Sequence, residues 1–515
     1  MLARFMMSRR VAASVLFAIF LIAALAPIRA YDAFWHLATG RWIVEHHAIP
    51  ATDPFAIASE KKPWINGEWL YEVVMYATSG GNTTAISVIN AMVIAATFTL
   101  AFLVAAQSAE LGVAIFAACI AFAGGFDRLG VRPSTIAALL AAIAIALLLS
   151  RKLSVRTLAI AYAVLTCIWI NTHPSALLAP LLALASLQVD RRRWIVVAAS
   201  AVALFINPYG LHAITSPFEL ASTVSNGVFI NAEWLPSPVT VFPLLYLTIA
   251  ATLIFFALSS EKREHAWRFA LFILFAALAV RYVRNQGLYY ATLPLLMPLP
   301  RRGGSGWIFA ALMPLAWVLA TGVHGVGVDA ERFPVRAVAR LKALNLRGNI
   351  YNADQFGGYL IWAFYPERRV LTDGRNELYR TFIDEDARGR RDSRAWHGLQ
   401  QKYLVDLAVA EYESERLTVV DVASGEKRAV PASLVRYRRR DWALIAFDDA
   451  ALVFARRAAF PIGSLERIEY RHLVPDDPAI EYLNPTAAKQ EIARAKTEVG
   501  EGKVLRAMER GRNVN

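Results

Sequence analysis

The sequence predicts a polytopic α-helical membrane protein with a C-terminal α/β soluble domain, and three observations carry that class. Hydrophobic residues make up 57% of the chain against 18% charged, with a mean hydropathy of +0.40, a balance typical of bundled membrane spans and foreign to soluble domains. The long apolar runs stop near residue 323, where ordinary mixed composition begins. Lys and Arg gather in alternate short loops between the runs, which is the charge asymmetry that orients membrane helices.

A bilayer core takes about 20 apolar residues as helix. On that ruler about eleven spans are read, near residues 11–29, 84–106, 111–125, 134–150, 156–170, 174–189, 194–207, 239–258, 267–281, 286–300 and 306–323. The basic stretches "MLARFMMSRR", "RKLSVR" from Arg151, Arg191 to Arg193, "EKREHAWR" from Glu261, and Arg301 with Arg302 then fall on one side, the cytoplasm. Residues 30–83, the linker at Asp127, "NTHPS" from Asn171, the loop 207–238, "RYVRNQ" from Arg281 and everything after about 323 face outward. A cleaved signal peptide ending at Ala30 is the alternative for the first run, and either reading leaves Tyr31 outside. The reading is of a multi-pass membrane protein with a cytoplasmic N-terminus and the C-terminal domain on the outer side.

Three regions follow: a membrane domain over 1–323 with its first outer loop at 30–83, an α/β domain over 324–483, and a tail over 484–515. In the α/β domain "GNIYN", "RRVLT", "VDLAVAEY", "WALIAFDD" and "AALVFARR" read as short strands, with "GGYLIWAFY" and the polar region 380–403 as helices. The tail is polar and rich in Ala, Glu and Lys, expected as an exposed helix fraying into disorder. A formal charge of +13 raises nucleic-acid binding, but the excess sits in membrane loops or is scattered in the tail, so that class is set aside. Cys119 and Cys167 both lie inside apolar runs, which removes a disulfide framework and a cysteine metal site.

The chemistry concentrates in the first outer loop, where "YDAFWHLATGRW", "AIPATDPF" and "PWINGEWLYEVV" set acids among aromatics. Asp32 falls within a few residues of a span end. A carboxylate held there is suited to act as general base on a hydroxyl or to hold a metal near a phosphate. The plainer reading is a helix-capping Asp, with Trp35 and Trp42 in an interfacial aromatic belt. In the soluble domain Asp354 in "NADQFGGY" and Asp373 in "TDGR" are followed by Gly at strand ends, where α/β sheets bind ligands; the Gly-Gly pair is a poor phosphate-loop match, and a turn is the plainer role.

Asp32, Trp35, His36 and Gly40, then "IPATDPF" with Asp53 and "WINGEWL" with Glu68, together resemble the first outer loop of bacterial membrane glycosyltransferases of the GT-C superfamily. The resemblance continues in "RPS" at Arg132, "WINTHPS" at Trp169, "NPYG" at Asn207, "AEWLPSP" with Glu233, "RYVRNQ" at Arg281 and "GGYLIW" through "YPERRVLTDGR" from Gly357. It implies a GT-C-like fold and an inverting transfer of a sugar from a polyprenyl-phosphate or diphosphate carrier to an outer-side glycan, lipid or protein acceptor. In that superfamily the acid just after the first span is catalytic base or metal ligand, and Asp32 takes its position. A second acid often assists; the Asp-plus-Glu spacing of protein O-mannosyltransferases is not reproduced, which leaves Asp53 and Glu68 as alternatives. The resemblance leaves a divalent metal cofactor undecided.

A phosphate-linked donor calls for cations on the outer side, and Arg128, Arg132, Arg281 and Arg284 are there, with Arg132 and Arg284 the preferred clamp. Snorkelling to headgroups of membrane lipids, or pairing with Asp127, is the alternative. His36 and His173 are the outer histidines nearest span ends, each read as a structural residue or a substrate contact. Glu233 with Trp234 is a candidate floor for a sugar ring, an interfacial Trp being the alternative. Two rival classes remain: a lipid-linked sugar flippase or transporter, disfavoured because the span centres carry almost no charge, and a non-catalytic scaffold whose tail binds envelope glycan.

Overall fold

The computed structural model describes residues 8–59, 61–225, 232–260, 262–301, 304, 306–412, 415–420, 424–477 and 484–510. Arg4, Glu261 and Arg302, among the residues used above for orientation, lie outside them. The chain divides into two compact units. The first comprises Met1–Ala30, Gly40–Ile49 and Ile65–Gly327; the second comprises Tyr31–Thr39, Pro50–Trp64 and Val328–Asn515. Two pieces of the first outer loop therefore group with the C-terminal part of the chain.

The first unit is helical, and each apolar run of the sequence is helical over much of its length. Thr83–Ala105 and Leu111–Arg128 are long and apolar enough to cross a membrane. Pro133–Leu149, Val155–Ile170, Pro174–Gln188, Pro243–Leu258 and Gly306–Thr321 are apolar but shorter, so helix length alone does not carry a count of about eleven. Two of these are broken: the run after Pro174 changes from a 3-10 turn to helix at Leu178, and the last run divides at Ala311. Pro180 and Pro314 sit in the first turn of the segment that follows each break, where a missing N–H costs no intrahelical bond.

Gln286–Leu296 is buried along its whole length and packs against Leu111–Gly125, Pro133–Leu149 and Thr83–Ala105. Small residues allow this approach. A Cβ at Gly124 would come within 2.2 Å of the Tyr290 ring.

The second unit holds a four-stranded sheet of order β1-β2-β6-β5, built from β1 (Asn349–Asn352), β2 (Val405–Glu411), β5 (Trp442–Phe447) and β6 (Ala451–Arg456). β1 and β2 are parallel, and the other pairs antiparallel. β5 is buried at every position and β6 at all but the last, matching their unbroken apolar runs. "RRVLT" forms no strand; Val370 makes single parallel bridges to Ile350 on one side and Ala56 on the other. That bridge carries the sheet from β1 to the loop segment 50–64 and explains its place in this unit.

Two further features complete this unit. β3 (Arg416–Val420) and β4 (Lys427–Pro431) form a separate two-stranded ribbon; their residues are mostly exposed and lack the alternation that marks a half-buried strand. The tail is helical as expected but not simply exposed, and its last residues, 511–515, lie outside the described residues. It forms helices Pro485–Glu498 and Lys503–Arg510, which bury Ala488, Ile492, Ala495, Leu505 and Met508. Arg340 pairs with Glu498 at 2.8 Å, and Asp449 accepts from Arg336 and from the Val504 amide.

Candidate functional site

Within the second unit the residues around Asp32 are assembled from three stretches of sequence. Helix Ala33–His46 begins directly after Asp32, which keeps part of its surface open at the end of the helix where amides favour negative charge. Helix Asp354–Phe364 carries the Gly-Gly pair, which is neither a phosphate loop nor a turn. A Cβ on Gly357 would lie 2.1 Å from the Thr372 carbonyl oxygen, and one on Gly358 would lie 3.0 Å from the Tyr31 carbonyl oxygen and 3.1 Å from the Trp35 amide. The two glycines let this helix lie against the turn 372–375 on one side and the start of helix Ala33–His46 on the other. A Cβ on Gly374 would in turn stand 3.3 Å from Asp32 Oδ1.

Beneath this turn is a buried ionic cluster. Arg375 donates from Nε to Asp373 Oδ1 at 2.8 Å and from Nη2 to Asp373 Oδ2 at 2.5 Å, and Nη2 also reaches Asp53 Oδ1 at 3.0 Å. Asp53 further accepts the amides of Phe55 and Ala56 at 3.0 and 3.1 Å. The Tyr379 hydroxyl donates to Asp373 Oδ2 at 2.8 Å. The side chains of Arg375, Asp53 and Asp373 are 2%, 0% and 0% exposed. Burial acts against the Arg375 charge, but Asp373 and then Asp53 outweigh it and hold its pKa well above the ordinary value. Burial, with the two carboxylates, keeps Tyr379 a neutral phenol. The guanidinium lies over Trp64 at 4.4 Å, Trp35 at 5.4 Å and Phe55 at 5.6 Å, which favours the cation in this buried position.

Asp53 thus has all its acceptor capacity taken by the fold. Trp35 and His36 are buried, with their ring centroids 3.5 Å apart. Asp373 forms the expected turn, accepting from the Arg375 amide, and is also a partner of its guanidinium. Asp354 opens helix Asp354–Phe364. A carboxyl not considered from sequence, Glu377, lies in the 3-10 turn Asn376–Leu378. It keeps open surface although protein atoms surround it, and that loss of surrounding water, followed by Asp373 and Asp32, raises its pKa against the opposing Arg375. The open surface is the better description of its access; the raised pKa reflects the crowd of protein around it.

A second cluster belongs to the helical unit. Arg132 Nη1 donates to Glu233 Oε1 at 2.5 Å, and Arg284 stacks over Trp234 at 4.6 Å. Burial would raise the Glu233 pKa, but Arg132, Arg284 and Arg128 together bring it below the ordinary value. Three guanidiniums therefore act on one carboxylate. Arg128 also lies 5.5 Å over Phe242, while Arg281 stacks over Tyr282 at 4.9 Å and is exposed. His173 is the N-cap of the 3-10 turn Pro174–Leu177 and accepts from the Ser175 amide at 3.1 Å. Burial and then Arg284 lower its pKa to about 3, which keeps the ring neutral near pH 7.

Glu68 is the N-cap residue of helix Trp69–Ser79, where its side chain makes no capping bond. In the same unit "WINGEW", "WINTHPS" and "NPYG" meet: Trp69 Nε1 donates to Asn171 Oδ1 at 2.8 Å, Asn171 Nδ2 donates to the Ile206 carbonyl at 2.8 Å, and Asn66 donates to the fully buried Glu72 at 2.6 Å. Among the described residues no group of three or more His, Cys, Asp or Glu could hold a metal ion.

No family model matches the chain, and no curated protein matches it. Solved structures do. The oligosaccharyltransferase of Archaeoglobus fulgidus in its apo form aligns with a TM-score of 0.55 at 9% identity, covering 83% of this chain and 75% of that one. Archaeoglobus fulgidus AglB, in complex with an inhibitory peptide and a dolichol-phosphate, aligns with a TM-score of 0.51 at 9% identity, covering 82% and 74%. At that identity the likeness is one of fold.

Proposed function

We propose that this chain is a membrane glycosyltransferase that moves a sugar or glycan from a polyprenyl-phosphate or diphosphate carrier to an outer-side glycan, lipid or protein acceptor, with inversion at the anomeric carbon. The observation that carries this reading is Asp32: a carboxylate with open surface at a helix N-terminus, against the turn 372–375, in a chain with the fold of an oligosaccharyltransferase. AglB, with that fold, has been captured with a dolichol-phosphate.

Asp32 is the proposed base. It takes the proton of the acceptor hydroxyl as that oxygen bonds to the anomeric carbon, and the carrier phosphate departs with the electron pair of the broken glycosyl bond. No step is routed through a metal. Arg132 and Arg284, with Arg128, are the proposed ligands of the carrier phosphate, because the three guanidiniums cluster at Glu233 and guanidinium forks match phosphate oxygens. Trp234 is held by Arg284 and is a proposed sugar-stacking ring. Asp53 acts through Arg375 and not on substrate; Glu68 stays a candidate assisting acid, joined by Glu377. The protein is proposed to be multi-pass in a bacterial inner membrane, with residues after about 323 in the periplasm.

Mass spectrometry of envelope glycans, lipids and proteins from cells carrying Asp32→Asn tests the reading. One glycosylated product is expected to disappear while the variant protein stays at normal abundance. An unchanged glycan profile would remove Asp32 from any transfer.

A further inference from the structure

We infer that the turn Thr372 to Arg375 is a seat for the Asp32 carboxylate, with Gly374 as the contact surface and Arg375 as the lock that fixes the turn. The inference rests on Asp32 being the base. It adds two positioning residues that the first-loop acids alone do not provide.

Arg375 binds Asp373 through three donors, its own amide, Nε and Nη2, and Asp53 through Nη2. The turn is thereby tied to the loop segment 50–64, which also continues the sheet through Ala56 and Val370. Tyr379 closes the far end by bonding to Asp373 and, at 3.3 Å, to Asp53. Residue 374 lies between two residues that are almost wholly buried, so its backbone has little freedom to move.

What the turn supports is Asp32. The Gly357 and Gly358 contacts set helix Asp354–Phe364 between the Thr372 carbonyl and the backbone of Tyr31 and Trp35. The start of helix Ala33–His46 is fixed a short distance from the turn, and Trp35 is fixed again by the Arg375 guanidinium. Side chains of any size at 374 would meet Asp32 Oδ1, since even a Cβ stands 3.3 Å away. Gly374 is not in the left-handed region and its surface is exposed, so neither turn geometry nor core packing calls for glycine. Clearance for the carboxylate does.

The test is Gly374→Ala in the full chain in nanodiscs. The backbone accepts alanine, so the melting temperature is expected to stay as in the wild type. The Cβ displaces the carboxylate by a few tenths of an ångström, and kcat is expected to fall about 10-fold with KM unchanged, given that a 1 Å misplacement costs about 100-fold. In the background of Asp32→Asn the same substitution is expected to cost nothing more. Arg375→Lys, which keeps charge but loses the fork, is expected to lower kcat in the same way wherever it folds. Carbodiimide labelling of Asp32, read by mass spectrometry, needs no turnover: its rate is expected to change several-fold in Gly374→Ala while that of Glu331 stays constant. Wild-type kcat and labelling in Gly374→Ala would overturn the seat while leaving Asp32 as base. Changed labelling in a protein that transfers no sugar from any carrier would overturn the enzyme reading and leave the seat standing.

Discussion

Replacing Asp53 by Asn separates a structural carboxylate from a chemical one. The substitution keeps volume but removes one of two negative charges on the Arg375 guanidinium, and puts an NH2 or a neutral oxygen where Oδ1 and Oδ2 accept from Arg375, Tyr379 and the amides of Phe55 and Ala56. Removing one partner of a buried ion pair costs about 3–5 kcal/mol, chiefly by leaving an uncompensated charge. Arg375 retains Asp373 here, so the lower end, about 3 kcal/mol, is expected. For a unit of this size each kcal/mol moves the midpoint by about 2–4 °C, which gives a loss of about 6–12 °C. Thermal unfolding followed by tryptophan fluorescence is suited to it, because Trp64 and Trp35 lie against the guanidinium. A variant that melts like the wild type yet has lost transfer would refute the reasoning and return Asp53 to the reaction.

Further outcomes are expected. Arg132→Gln and Arg284→Gln should each weaken binding of a polyprenyl-phosphate sugar more than binding of acceptor, with Lys restoring it only in part; unchanged donor affinity in both would make these arginines membrane anchors. Glu233 has a depressed pKa, so its ion pair contributes at neutral pH and above, and is lost as acid carries the pH down through its folded-state value. Stability of Glu233→Gln measured across acid pH should lack that limb; a limb identical to the wild type would mean that another group produces it. Gly357→Ala, which drives a Cβ to 2.1 Å from a backbone oxygen, should sharply reduce folded yield, and a normal yield would show that the helix can withdraw from the turn. A reporter fused after Arg347 should be active only outside the cytoplasm, and cytoplasmic activity would reverse the proposed topology.

What the sequence made legible was what depends on local pattern. Strands β2, β5 and β6 announce themselves as short apolar runs, and the helical unit follows from its own hydropathy. The C-terminal helices were harder, because Ala488, Ile492 and Ala495 form a buried stripe at helical spacing thinned by Lys, Glu and Arg around it. The ionic cluster was hidden for a different reason. Asp53 and Arg375 are 322 positions apart, and nothing local in "ATDPF" or "TDGR" says that one carboxylate will bury the other's guanidinium. Local pattern therefore offers Asp53 as an acid beside other loop acids and Asp373 as a turn residue, and gives no sign of their shared partner Arg375 or of Tyr379. The one local hint was the spacing of Asp373, Arg375 and Glu377 within seven residues of a glycine pair's packing partner, Thr372. The Gly-Gly pair itself could be interpreted only with its neighbours in view, since a glycine inside a helix signals close approach without naming what approaches.

The most direct measurement is a single-turnover assay in nanodiscs, with polyprenyl-phosphate and diphosphate sugars supplied together with an extract of envelope acceptors. Wild-type protein is expected to release free carrier phosphate and yield a glycosylated acceptor of inverted anomeric configuration. Asp32→Asn, folded and binding the donor as tightly as the wild type, should slow that transfer by at least about 100-fold, the lower range for loss of a general base. Transfer at the wild-type rate by the Asn variant would contradict the account at its centre.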